Sequence, residues 1–350
     1  MKILYSVQAT GNGHISRAME LMPYLQQYGK VDVFLSGSNS NLQPDLPVKF
    51  RSKGVSLFYG NTGGLDYMRM LKDFSLKRIW KEAKDLPVEQ YDIVLNDFES
   101  ITSLACKLKN VPSIGFGHQA SFRSVQTPRA SKKDIAGELI LKQYATATGY
   151  VGLHFNAYDD FIYSPVLKKE VIEAEPLNEG HITVYLSHYS DEVILQALQQ
   201  VKEIRFEVFS KKVKQAVRYN NVTLLPISND GFTQSMIRSL GVITGAGFET
   251  PAEALYLEKK LLVLPIRGQY EQLCNAAALQ EFNVTVVEKI TAAFAQQVKQ
   301  WLETQEIKPL HLSHSTYEIV QIAVEKARSL QKNNETIQSL LTEEDMLALF

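Results

Sequence analysis

The chain has 350 residues, 45% of them hydrophobic and 21% charged, with a formal net charge of −1. That composition suits a soluble globular protein of two domains, each with its own core. It holds no apolar run near the ~20 residues of a membrane helix, and MKILYSVQAT turns polar too quickly for a signal peptide.

Residues 2–8 (KILYSVQ) predict a strand, broken at Ala9-Thr10-Gly11-Asn12-Gly13-His14. A helix follows, with Ile15, Ala18, Met19, Met22 and Leu25 at the 3–4 spacing of one buried face. As a dinucleotide fingerprint the opening is defective. Ser16 stands at the third glycine position, and the second strand, Val31–Leu35, ends in Ser36-Gly37 with no acidic residue to grip a ribose. A strand near Val55–Tyr59 and a loop, Asn61-Thr62-Gly63-Gly64, come next. Residues 67–84 then read as a helix with six Lys and Arg beside an apolar stripe that includes Trp80. Such a face could lie on anionic lipid headgroups, though more often it is a solvated charged face over a core stripe.

Asp92–Leu95 is a short strand with the polar tip Asn96-Asp97-Phe98-Glu99-Ser100 before a helix, and Ser113–Phe116 is another, ending at Gly117-His118-Gln119. Open parallel sheets place ligands at such tips. Asp97 and Glu99 stand at one of these tips, and each is also a candidate helix cap. The loop 120–134 carries Arg123, Arg129, Lys132 and Lys133. Residues 1–150 hold 19 Lys and Arg against 13 Asp and Glu, a charge of +6, and the remainder carries −7. The basic first half points to an anionic partner, and the absence of any reading motif argues against nucleic acid.

Tyr150–Phe155 reads as the last strand of the first domain (1–165), and Tyr163 to Gly180 as a linker with two prolines. The pattern restarts at 178–330, with strand His181–Leu186, tip Ser187-His188-Tyr189, and strands at Ile204–Ser210 and Val222–Leu225. Strand Val242–Thr244 then runs into Gly245-Ala246-Gly247 and a helix opening near Phe248-Glu249-Thr250-Pro251. Thr250 is its expected N-cap, with Pro251 in the first turn. A small-residue loop at a helix N-terminus bares N–H groups to phosphate. Strand Leu261–Pro265 and loop Arg267–Gln272 follow. Helices near 291–303 and 314–331 and a helical tail, 331–350, complete the chain; the tail is expected on the first domain or on a partner. Cys106 and Cys274 have no CxxC spacing and are expected to be reduced and buried.

The stretch 242–274 resembles the donor-binding signature of GT-B nucleotide-sugar glycosyltransferases, in the UDP-glucuronosyltransferase-like and MurG-like branch. The resemblance lies in Gly245–Gly247, Glu253-Ala254, Leu261–Pro265 and Glu271-Gln272. Thr244, Ala246 and Glu271 depart from the His, Gly and Asp common there. The run Gly11–His14 likewise resembles the early loop of MurG-like enzymes. The resemblance implies an α/β GT-B fold of two Rossmann-like, doubly wound parallel-sheet domains facing a cleft. It implies His14 as general base, with Asp97 or Glu99 behind it. Gly13, Ser187, His188, the 245–250 loop and helix end would lie on the donor phosphates, Ile227 on the base, Glu253 on the ribose, and Glu271 and Gln272 on the sugar. His118, Gln119 and Arg123 would border the acceptor.

The function expected is inverting, metal-independent transfer from a UDP-sugar to a lipid, glycan or phosphorylated hydroxyl, with no cofactor. The cellular site expected is the cytoplasm, with the inner face of the membrane as an alternative. A UDP-GlcNAc 2-epimerase and a non-catalytic nucleotide-sugar-binding subunit stand as the other readings.

Overall fold

The computed structural model describes residues 1–9, 12–37, 45–54, 75–304, 306 and 308–340. The first sheet contains β1 (Lys2–Gln8), β2 (Lys30–Ser36), β3 (Val48–Ser52), β4 (Ile93–Asp97), β5 (Ile114–Gly117), β6 (Gly149–Leu153) and β7 (Ile162–Tyr163). Its order is β3-β2-β1-β4-β5-β6-β7, and every pairing is parallel. The second sheet contains β8 (His181–Tyr185), β9 (Arg205–Ser210), β10 (Val217–Tyr219), β11 (Val222–Pro226), β12 (Gly241–Thr244), β13 (Lys260–Val263) and β14 (Thr285–Val286). Its order is β10-β11-β9-β8-β12-β13-β14, with only the β10–β11 pair antiparallel.

Strands β1 and β4 are buried on both faces, which is why they read as unbroken apolar runs rather than alternating ones. The covering helices are α1 (Asn12–Leu25), α2 (Leu76–Asp85), α3 (Ser100–Leu108), α4 (Ile135–Gln143), α5 (Lys169–Ile172), α6 (Asp191–Leu198), α7 (Asn229–Arg238), α8 (Glu249–Tyr256), α9 (Tyr270–Leu279), α10 (Phe294–Thr304) and α11 (Thr316–Leu340). Helix α11 leaves the second half and packs on α1, β4, β5 and β6 of the first, burying Ile319, Val320, Ala323, Val324 and Ala327.

Both sheets reverse direction about their first strand. One reversal lies between β1 and β4, the other between β8 and β12. Loops leaving neighbouring strands there diverge to opposite faces and open a crevice at the carboxyl edge. The chain puts Asn12–His14 and Asp97 at the first crevice, Ser187–His188 and Gly245–Gly247 at the second.

Some sequence expectations need correction, and others fall outside the described residues. The strand near Val55–Tyr59 and the 67–74 part of the basic helix lie outside the described residues, as do Gly11 and residues 341–350. A strand at Val48–Ser52 was not foreseen. The strand at Tyr150–Phe155 is not the last of its sheet, because β7 adds a seventh inside the expected linker. The linker also forms the short α5. The expected break at 331 falls inside the continuous α11.

Candidate active site

Parallel pairing brings Asp97, the last residue of β4, level with Val7 of β1, just before the turn into α1. His14 and Arg17 lie one turn apart on α1, so both face Asp97. His14 Nδ1 is 2.9 Å from Asp97 Oδ1. Arg17 donates from Nε to Asp97 Oδ2 at 3.1 Å and from Nη2 to Oδ1 and Oδ2 at 2.7 and 2.8 Å. Tyr5 Oη adds a 3.5 Å contact to Oδ2. Gly117 makes room for this: a Cβ there would stand 2.7 Å from Asp97 Oδ1 and 3.2 Å from Arg17 Nη2, and its φ of 145° disfavours any other residue.

Burial alone would raise the Asp97 carboxyl, but the Arg17 charge and then His14 hold it below the usual carboxylate range. For His14, burial favours the neutral ring; the charge and hydrogen bond of Asp97 outweigh it and lift the pKa above its ordinary value. The His14 side chain keeps 14% exposure where that of Asp97 has none, so the ring is the part of the pair that a ligand can reach.

Glu99 stands two residues on but does other work. Phe98 takes a left-handed φ of 54° and turns the chain, and the Glu99 carboxylate accepts from the N–H groups of Ile101 and Thr102 as the N-cap of α3. Its burial raises its pKa. It does not reach His14, and the expected catalytic role falls to the cap.

In the second half, β12 runs through Gly245–Gly247 into α8. A Cβ at Gly247 would meet nothing within 4 Å, so open space borders this turn. Ala246 and Phe248 are packed rather than presented. The Ala246 carbonyl accepts from Asn275 Nδ2 at 3.1 Å, and the Phe248 ring stacks on His118 at 3.9 Å. The N-cap of α8 is Phe248, whose side chain makes no capping hydrogen bond. Thr250 lies inside the first turn, so the cap expected of it is not made.

Glu249, the first residue of α8, points across to the first half and forms an ion pair with Arg17 Nη1. Its carboxylate lies so near Gly13 that a Cβ there would be 2.4 Å from Oε2. Glu253, one turn on, is buried against Lys168 of the linker at 3.2 Å rather than open to the crevice. Burial raises its carboxyl pKa, and Lys168 opposes that rise.

The remaining candidates separate into two groups. Gln119 Nε2 lies 3.4 Å from His14 Nε2 and 3.1 Å from Glu271 Oε1, so Gln119 and Glu271 join the His14 cluster. Gln272 Oε1 accepts from the Ile266 N–H at 2.9 Å and borders Gly245. Ser187 is exposed at the neighbouring tip, and Ile227 is half-buried after β11. The His188 ring is half-buried, its Nε2 has no hydrogen-bond partner among the described residues, and burial lowers its pKa to about 4. His118 does not border an open acceptor site. It is fully buried, with Nδ1 on the Leu153 carbonyl and Nε2 2.8 Å from Asn275 Oδ1. Arg123 donates to the Lys142 carbonyl and lies over the Tyr150 ring.

Sequence reasoning missed Arg17, Gly117, Lys168 and Asn275. Only Arg17 left a local sign: a charged residue three after His14, on the stripe that continues through the buried Leu21.

A family model described as glycosyl transferase family 1 matches residues 1–305. No curated protein matches the chain. Among solved structures, UGT89C1 of Arabidopsis thaliana, complexed with UDP, superposes with a TM-score of 0.56 at 14% identity, over 96% of this chain and 98% of that one. The glycosyltransferase SnogD of Streptomyces nogalater gives 0.52 at 13% identity, over 93% and 99%. MurG of Acinetobacter baumannii gives 0.50 at 14%, over 97% and 100%. At such identities the likeness is one of fold, and that fold is GT-B.

Proposed function

We propose that this chain, which belongs to glycosyl transferase family 1, transfers a sugar from a UDP-sugar to an acceptor hydroxyl with inversion and without a catalytic metal. The observation that carries this is His14 held on Asp97 at the first crevice, with a ligand-reachable edge, opposite the open glycine turn of the second. A ring that donates Nδ1–H to Asp97 keeps a lone pair on Nε2, which takes the acceptor proton as its oxygen attacks; Asp97 steadies the imidazolium that results. The N–H groups of 245–250 take the diphosphate as it leaves with growing negative charge. The UDP seen in the Arabidopsis neighbour supports that nucleotide.

The acceptor we favour lies at a lipid surface. Leu76 and Trp80 are exposed on α2 beside Lys77, Lys81 and Lys84, and Ile135 and Leu139 are exposed on α4 after Lys132 and Lys133. Among the described residues, no helix is long and apolar enough to cross a membrane. Through these lysines and apolar side chains the protein would rest on the inner face of the membrane.

The test is a thermal-shift panel of UDP, TDP and GDP sugars, where a ligand at 100 times its Kd adds about 2.7 kcal/mol. UDP-sugars are expected to stabilise the chain, and His14→Ala to retain that shift while losing transfer. A panel with no shift overturns the donor assignment, and epimerised sugar without acceptor overturns the reaction.

A further inference from the structure

We propose that Arg17 and Glu249 are positioning residues through which the donor-side half of the chain sets the tautomer of the His14 base, a proposal that rests on the transfer reading above. His14 Nδ1 has one site and two claimants. Asp97 Oδ1, at 2.9 Å, can only accept from it, whereas Arg17 Nη2, at 3.0 Å, can only donate to it. Donation to Asp97 leaves Nε2 free to take a proton. Acceptance from Arg17 puts the ring hydrogen on Nε2, and the base is gone.

Two contacts from the other half favour the productive state. Glu249 takes Arg17 Nη1, which holds the guanidinium with Nε and Nη2 on Asp97. Arg17 is buried, its side chain 1% exposed, so without Glu249 its Nη1 donor loses its partner and more of its charge falls on the imidazole. At the far nitrogen, Glu271 Oε1 requires a donor and so fixes the Gln119 amide with its NH₂ end inward. That same NH₂ faces His14 Nε2, which must then be the accepting nitrogen. Each nitrogen is thus governed by a carboxylate of the second half, acting through a side chain of the first.

The charged and titratable groups around His14 are Asp97 from β4, Tyr5 from β1 behind it, Arg17 on its own helix, Glu249 from α8, and Glu271 from α9 with His118 3.9 Å from it. Asp97 and Glu249 favour the imidazolium, and Arg17 opposes it.

The full chain, labelled with ¹⁵N-histidine and assigned through His14→Ala, reports tautomer and pKa by NMR with no substrate present. Glu249→Ala is expected to lower the His14 pKa and raise the Nε2–H population. Arg17→Gln is expected to raise the pKa and leave the hydrogen on Nδ1. Glu249→Gln, which keeps an acceptor for Arg17, is expected to recover the tautomer without the charge. In turnover, Glu249→Ala should lose roughly tenfold in kcat, part of the ~10²–10⁴-fold a placed base supplies, with KM for the UDP-sugar nearly unchanged. A latch that only held the halves together would not move the two pKa values in opposite directions. An unchanged tautomer and pKa in Glu249→Ala overturns the proposal, and that variant decides alone if Arg17→Gln does not fold. A wild-type chain that turns over no nucleotide sugar overturns the transfer reading, while the NMR result still judges the relay.

Discussion

Replacing Asp97 by Asn changes one atom and tests the centre of the site. The carboxylate is fully buried and takes three hydrogen bonds from Arg17 and one from His14. The amide keeps the shape but not the charge, and it turns an NH₂ toward either the guanidinium or the imidazole. Removing one partner of a buried ion pair costs about 3–5 kcal/mol. Glu249 still holds part of the Arg17 charge, so the lower end, about 3 kcal/mol, is expected. For a cooperative unit of 150–250 residues, at about 2–4 °C per kcal/mol, the melting point should fall roughly 6–12 °C. The pH dependence carries a definite sign. Asp97 has a depressed folded pKa, so its contribution is complete above the ordinary value of 3.8 and is lost as pH falls through the lower folded value. The gap between the two chains should therefore widen as pH falls through the raised His14 pKa, which Asp97 supports, and close only in stronger acid. Turnover should drop by ~10²–10⁴, because an Asn that accepts from Arg17 no longer fixes the ring of His14. Urea unfolding at several pH values and transfer from a UDP-sugar measure the two effects. A variant within about 1 kcal/mol of wild type at neutral pH refutes the buried cluster as described. Full turnover in a destabilised variant refutes the dyad as the base.

Three further outcomes follow from the same geometry. Because the free-enzyme His14 pKa is raised, kcat/KM should fall as pH drops through a midpoint above the ordinary value of 6.5, and a midpoint below it contradicts the Asp97 contact. Lys168→Met leaves Glu253 buried without its cation. Since burial already lifts that carboxyl, the variant should be close to wild type in mild acid and lose about 3 kcal/mol as pH rises through the folded pKa, read by denaturant unfolding at both ends. Cys106 is buried and its thiol is pushed up to about 12, so iodoacetamide at pH 8 should modify it only as fast as the chain unfolds, as mass spectrometry of its peptide would show.

What the sequence made legible was local. Apolar runs ending in small-residue loops marked β1 and β12, and the helical stripe after His14 marked α1, because strand burial and helix periodicity are written within a dozen residues. The contacts that decide the site are not. Asp97 meets Arg17 across 80 positions, and Glu249 meets Arg17 across 232. Glu253 had the spacing expected of a ribose ligand, but nothing in its neighbourhood announced Lys168. The choice between Asp97 and Glu99 turned on Phe98, whose left-handed backbone is rare for an aromatic residue and sends the second carboxylate into the helix cap. His118 looked like a tip residue open to ligand, until the fold laid Phe248 of the other half over its ring.

The return of α11 to the first sheet bears on how the polypeptide is made. A ribosome releases β1 through β7 with a patch of that sheet still bare, and synthesises the whole second half before residues 316–340 arrive to cover it. Until then the surface that Ile319, Val320, Ala323 and Val324 will cover stays bare. The nascent first half thus carries uncovered apolar surface until α11 emerges, and a stop anywhere before Thr316 leaves it short of its last layer.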